Sequence, residues 1–167
     1  MRFHCSDVVR ATPAEVFAWW TDVREDDAGV VMPPLRRRQI VRRTEAEIET
    51  DDRWSIFGIP MRTRAVLRPR PPAEWEVTSR LRGGTARDVV RLEGVPGGTR
   101  VTMELEMDLR WPWTWAVRVA RTWLARLFQA DMEAVNRALE VALSRGSESA
   151  RPTLPDSGTP PAPPPPP

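Results

Sequence analysis

What most limits the fold of this chain is a change of hydrophobic period near Arg110. From Leu35 to Arg110 apolar and polar residues alternate. Ile48, Thr50, Asp52, Trp54 and Ile56 are interleaved with Glu47, Glu49, Asp51 and Arg53, and Met61, Thr63, Ala65 and Leu67 with Arg62, Arg64 and Arg68. The pattern returns where Trp75, Val77, Ser79 and Leu81 are set against Glu74, Glu76 and Arg80. It returns again where Val101, Met103, Leu105, Met107 and Leu109 are set against Arg100, Glu104, Glu106 and Asp108. A period of two belongs to antiparallel strands with one face buried. Turn residues at 58–60, 69–72, 83–84 and 96–98 separate the runs, so the stretch reads as six strands in a meander.

From about Pro112 to Ser144 the period becomes helical. At about 100° per residue, Ala116, Ala120, Trp123, Leu124, Leu127, Val135, Ala138 and Ala142 share one wide apolar face. Arg118, Thr122, Arg126, Gln129, Glu133, Asn136 and Glu140 fall opposite. Pro112 suits the first turn of such a helix, and Gly146 suits its end. Asp131 breaks the pattern, because it falls on the apolar face, where an ionised carboxylate needs a partner, a wet cavity or a proton. Two readings stay open for it: a buried ion pair, or a polar group looking into a cavity.

Ahead of the strands, residues 2–10 read as another short strand. Thr12-Pro13-Ala14-Glu15 then supplies a helix start, with a capping threonine, proline at the first helical position and glutamate three residues after the cap. The helix is short and apolar (Val16, Phe17, Trp19, Trp20). Residues 21–28 read as a second polar helix or a loop. Residues 1–145 thus form one domain of α+β class, with about seven strands in the order β-α-α-β6-α. Residues 146–167, rich in proline, read as an extended tail with polyproline II character. The tail is either inert or a ligand for a proline-recognising domain.

Composition narrows the function classes. All 25 basic residues are arginine, but 23 acidic residues balance them to a net charge of +2. Arg36-Arg37-Arg38 and Arg42-Arg43 sit among acidic neighbours and read as a solvated strand face rather than a nucleic-acid footprint. A single cysteine, Cys5, excludes an internal disulfide, and with His4 as the only histidine it offers no metal set. No cofactor is expected. No apolar run approaches the ~20 residues needed to span a bilayer, so the expected compartment is the cytoplasm.

Three segments together resemble the SRPBCC superfamily, the START-like, helix-grip group that includes polyketide cyclases, lipid-transfer domains and plant pollen allergens. They are VVRATPAEVFAWWTD (Val8 to Asp22), PGGTRVTMELEMDL (Pro96 to Leu109) and FQADMEAVNRALE (Phe128 to Glu140). The resemblance covers about residues 1–144. It implies a curved antiparallel sheet wrapped around a long C-terminal helix, with a mainly apolar cavity between the two. It implies no catalytic residue, because no residue set here matches a cyclase triad and one frame hosts many functions.

With the apolar strand faces turned inward, the candidate ligand-binding residues are Trp54, Ile56, Met61, Trp75, Val77, Asp88, Val90, Met103, Leu105 and Met107. Leu67 shares that face. Trp123, Leu127 and Asp131 of the last helix close the set. Flat indoles and adaptable methionines suit a hydrophobic ligand such as a lipid, polyketide or isoprenoid. The expected function is to carry or sense such a molecule. A second reading is a polyketide cyclase or dehydratase in which two of Asp52, Asp88 and Asp131 converge for acid/base chemistry. A third is a protein-interaction module without ligand. Trp111, Trp113 and Trp115, with Arg118 and Arg121, either pack under the start of the helix or make a transient membrane-surface contact.

Overall fold

The computed structural model describes residues 1–27, 35–56 and 58–149. Strand β1 (Arg2–Val9) leads into helix α1 (Pro13–Thr21) and a 3₁₀ turn (Glu25–Asp27). Six strands follow: β2 (Leu35–Arg43), β3 (Ile48–Ile56), β4 (Ile59–Arg70), β5 (Glu74–Leu81), β6 (Gly84–Val95) and β7 (Gly98–Leu109). Helices α2 (Trp113–Val119) and α3 (Arg121–Ser149) end the described chain. The proline-rich stretch of the tail lies outside the described residues.

All seven strands form one antiparallel sheet in the order β1-β7-β6-β5-β4-β3-β2. The meander expected from the alternation is therefore present, and β1 joins its far end by pairing with β7, Arg2 opposite Glu106. Inward positions line up across the sheet in rows. One row runs Cys5, Met103, Val90, Trp75; the next runs Phe3, Leu105, Asp88, Val77, Leu67, Ile48. Thr12 caps α1 as the sequence suggests, accepting from the Glu15 backbone N–H while the Glu15 carboxylate accepts from the Thr12 backbone N–H.

The C-terminal helical pattern is two helices rather than one, broken at Ala120. The break uncouples the tryptophan-rich first turns from the rest, and the buried face of α3 shifts toward Met132, Val135, Asn136 and Leu139. Asn136, expected on the solvent side, is 2% exposed. It satisfies both ends of its amide, accepting from Trp20 Nε1 at 3.2 Å and donating to Asp7 Oδ2 at 2.9 Å. Nor does Gly146 end the helix, which continues to Ser149; one glycine inside a helix costs only ~1 kcal/mol.

The interior divides in two. Phe3, Ala86 and Leu105 form a filled cluster with Met107, Leu124 and Phe128 where β7 passes under the start of α3. A larger cluster from Cys5 and Val16 through Trp75 and Val90 to Met132 and Leu139 supports the other half of the sheet. Packing is incomplete beside this second cluster.

Candidate functional site

Between the sheet, α1 and the middle of α3 lies a cavity of about 480 Å³, within the range typical of small-molecule sites. Its apolar wall comes from Trp19 and Trp20 of α1, Ile48 and Trp54 of β3, Ala65 and Leu67 of β4, Trp75 and Val77 of β5, Val90, Met103 and Val135. The indoles are held in place by their neighbours. Trp75 stacks at a tilt on Trp20, with centroids 5.5 Å apart, and meets Phe17 edge-on at 6.0 Å. Trp54 Nε1 donates to Thr63 Oγ1 at 2.9 Å, so its polar edge is satisfied within the wall.

One end of the cavity is polar and centres on an ion-pair network. The Arg38 guanidinium donates to both oxygens of Asp52 at 3.1 Å and to Asp27 Oδ2 at 3.1 Å. The fork geometry suits arginine, and the Asp52 side chain is only 2% exposed. The sequence reading takes Arg36-Arg37-Arg38 as a solvated face, and Arg38 departs from it. A register shift between Leu35 and Arg37 re-phases β2, so Leu35 is buried and Arg38 lies directly opposite Asp52. A bulge of this kind leaves no mark in a polar run such as RRRQ.

Asp88 is the second polar feature. Its strand places it on the concave face between Val77 and Leu105, and it opens onto the cavity. Among the described residues it has no hydrogen-bond or ion-pair partner. Removal from water pushes its carboxyl up to about 7, so it is largely protonated at slightly acid pH. Cys5, one row away, has its thiol raised by burial and by the neighbouring Asp88.

The cavity thus brings together Trp54, Trp75, Val77, Asp88, Val90 and Met103 of the sequence-expected set. The other expected residues with described side chains lie outside its lining. Leu105 and Met107 belong to the filled cluster under α3, Met61 is half-buried beyond Trp54, and Trp123 is 38% exposed. Leu127 and Asp131 are half-buried on α3, and burial raises the Asp131 carboxyl. All three lie within the single helix α3, so the break at Ala120 leaves their spacing intact; what differs is the face of α3 that turns inward, which carries Met132, Val135, Asn136 and Leu139. The Ile56 side chain lies outside the described residues. The three aspartates do not form one acid/base group: Asp52, at the polar end of the lining, is locked to Arg38, Asp88 has no ion-pair partner among the described residues, and Asp131 is not part of the lining. Sequence reasoning passes over Arg38, Asp27, Thr50 and Thr63, and also Trp19 and Trp20, whose place on a short apolar helix says nothing of where it packs.

No protein-family model matches the sequence, and no curated protein matches it. Solved structures do. The protein TTHA0849 from Thermus thermophilus superposes with a TM-score of 0.71 at 16% identity, covering 88% of this chain and 99% of its own. The Zhui aromatase/cyclase from Streptomyces sp. R1128 gives 0.70 at 13% identity, covering 90% and 97%. This is the SRPBCC-type, helix-grip fold. A START superfamily protein from Mycobacterium smegmatis has it too, with a TM-score of 0.60 at 13% identity over 86% of this chain and 97% of that one. At these identities the likeness establishes the helix-grip fold, and activity has to be argued from the cavity.

Proposed function

We propose that this helix-grip chain binds a hydrophobic small molecule, of lipid, polyketide or isoprenoid type, as a carrier or sensor. The observation that carries the reading is the cavity of about 480 Å³, walled by four tryptophans and a few aliphatic side chains. Rigid aromatic walls with a small number of placed polar groups suit ligand capture better than a packed core. The named neighbours, an aromatase/cyclase and a START protein, support a ligand-binding use of the fold. Native mass spectrometry of the full chain, followed by denaturing extraction, tests it. A co-purifying hydrophobic compound, or one taken up from a mixture of lipids and aromatics, is expected; a chain that stays bare after such incubation would sink the reading and favour an interaction module.

One observation favours an enzymatic variant. Asp88, without a partner among the described residues and holding a proton at slightly acid pH, has the environment of a general acid/base. Another favours a membrane contact during loading. Trp111 and Trp115 are 85% and 65% exposed, so neither packs beneath the helix, and Val119 is exposed beside them. Trp113 is the anchored member, leaning over Gly83, where an added Cβ would come within 2.5 Å of its ring. Arg110, Arg118, Arg121 and Arg126 accompany these rings, and no acidic residue occurs from 109 to 130. Indoles beside arginines suit the headgroup layer of an anionic bilayer. Among the described residues no helix is long and apolar enough to cross a membrane.

A further inference from the structure

Carboxylates near a cavity usually end in an ion pair. Here the two arginines that line the cavity are already committed, Arg38 to Asp52 and Asp27 and Arg24 to Asp26. Asp88 stands elsewhere, in the row of β-strand positions between Leu105 and Val77. Its remaining exposure is toward the space a ligand would fill. Among the described residues its neighbours on the concave face of the sheet are uncharged: Val77 of β5, Leu105 and Met103 of β7 and the Cys5 thiol of β1, while Trp20 of α1 and Val135 of α3 line the same cavity. A carboxyl so placed has one O–H to donate, and since none of the described residues receives it, an occupant of the cavity is the partner to look for.

We infer that the ligand is electrically neutral and presents a carbonyl or similar acceptor oxygen to the Asp88 O–H, which makes its binding proton-linked. The inference rests on the ligand-binding reading and adds the chemical class. An anionic head group, such as a fatty-acid carboxylate, has no free cation to meet at Asp88 and would repel it once ionised. A pure hydrocarbon fits the walls but leaves the carboxyl unsatisfied. A neutral oxygenated aromatic satisfies both. Because the protonated form is the one that binds, affinity is constant at pH values below about 7 and falls above it, approaching tenfold per pH unit.

Three probes of matched shape test this: 1-acetylnaphthalene, 1-ethylnaphthalene and 1-naphthoate. Each is titrated into the full chain at pH 6 and pH 9, with quenching of the cavity tryptophans as the readout. The acetyl compound is expected to bind at least tenfold more tightly than the ethyl compound at pH 6 and to lose that advantage at pH 9; naphthoate should be weakest at both. Asp88→Leu, which matches the apolar neighbours, should erase the acetyl preference while keeping ethyl binding. Asp88→Asn, which still donates, should keep the preference and make it independent of pH. Equal binding of acetyl and ethyl probes, tight binding of naphthoate, or an acetyl preference that survives Asp88→Leu would overturn the inference while leaving the cavity a binding site. Failure of all three probes to bind would overturn it together with the ligand-binding reading.

Discussion

Asp88 makes the fold's stability depend on pH in a definite direction. In the unfolded chain its carboxyl titrates near 3.9; in the fold it is pushed up to about 7. The raised value means that the folded state holds a proton the unfolded state releases. Its contribution is therefore complete below about pH 4, declines as pH rises toward 7 and is absent above that. At about 1.4 kcal/mol per pKa unit, the full span is about 4 kcal/mol, an upper figure for a group that a cavity keeps partly wet. Asp88→Asn, neutral at every pH, should flatten this slope. Urea unfolding should show the variant gaining on the parent chain as pH is raised from 5 to 8; a constant difference would mean that Asp88 is ionised in the folded state throughout. The sequence alone marks Asp88 as inward-facing, because RDVVRL carries the alternation. It gives no hint that Asp88 lacks a partner among the described residues, since pairing is a tertiary fact that alternation does not encode.

The same distinction between local pattern and tertiary placement runs through the elements. Seven strands, the capped α1 and a helical C-terminus are all readable from period and turn chemistry, because those signals are local. The break at Ala120 and the shifted face of α3 are not, since alanine-rich helix surface gives little contrast between sides. What fixes α3 is β1, an edge strand whose backbone would otherwise be bare. Gln129 donates from its amide to the Ser6 carbonyl at 3.0 Å and accepts from the Ser6 N–H at 3.3 Å. Farther along, Glu140 accepts from the Arg10 N–H at 2.7 Å. Side chains of the helix thus stand in for the missing neighbouring strand. Gln129→Ala should lower stability by ~1 kcal/mol and speed hydrogen exchange at the Ser6 amide, with the Val90 amide in mid-sheet unchanged. Equal acceleration at both amides would show that the glutamine acts on global stability alone.

At the scale of the molecule, two surfaces of different character share one small domain: a tryptophan-walled cavity, and an exposed indole and arginine patch on α2 and its approach. The cavity was foreseeable only in part. Inward strand residues follow from alternation, whereas the split between a filled cluster under α3 and a void beside α1 depends on how two helices lie on one curved sheet. The patch is legible as a motif, but its exposure is a tertiary fact. If it meets bilayers, the full chain should co-sediment with vesicles containing phosphatidylserine, less with neutral vesicles, and less again at high salt. Trp111→Ala with Trp115→Ala should abolish sedimentation without changing thermal stability, since both rings are already in water. Sedimentation unaffected by the double change would remove the membrane contact.

The pairing of the first strand with the last, Arg2 opposite Glu106, also bears on how the chain acquires its shape. The meander from β2 to β7 closes by short hairpins and can form in order as the chain lengthens. The N-terminal strand cannot join it until β7 exists, whose residues lie from 90 (Val9 to Thr99) to 104 (Arg2 to Glu106) positions away. On a ribosome β1 therefore waits while the whole meander is made, and the wall that α3 later clamps is the last part of the sheet to be built. Long-range closure of this kind slows folding relative to a helical bundle of equal length. The earliest-made strand is the latest to find its place.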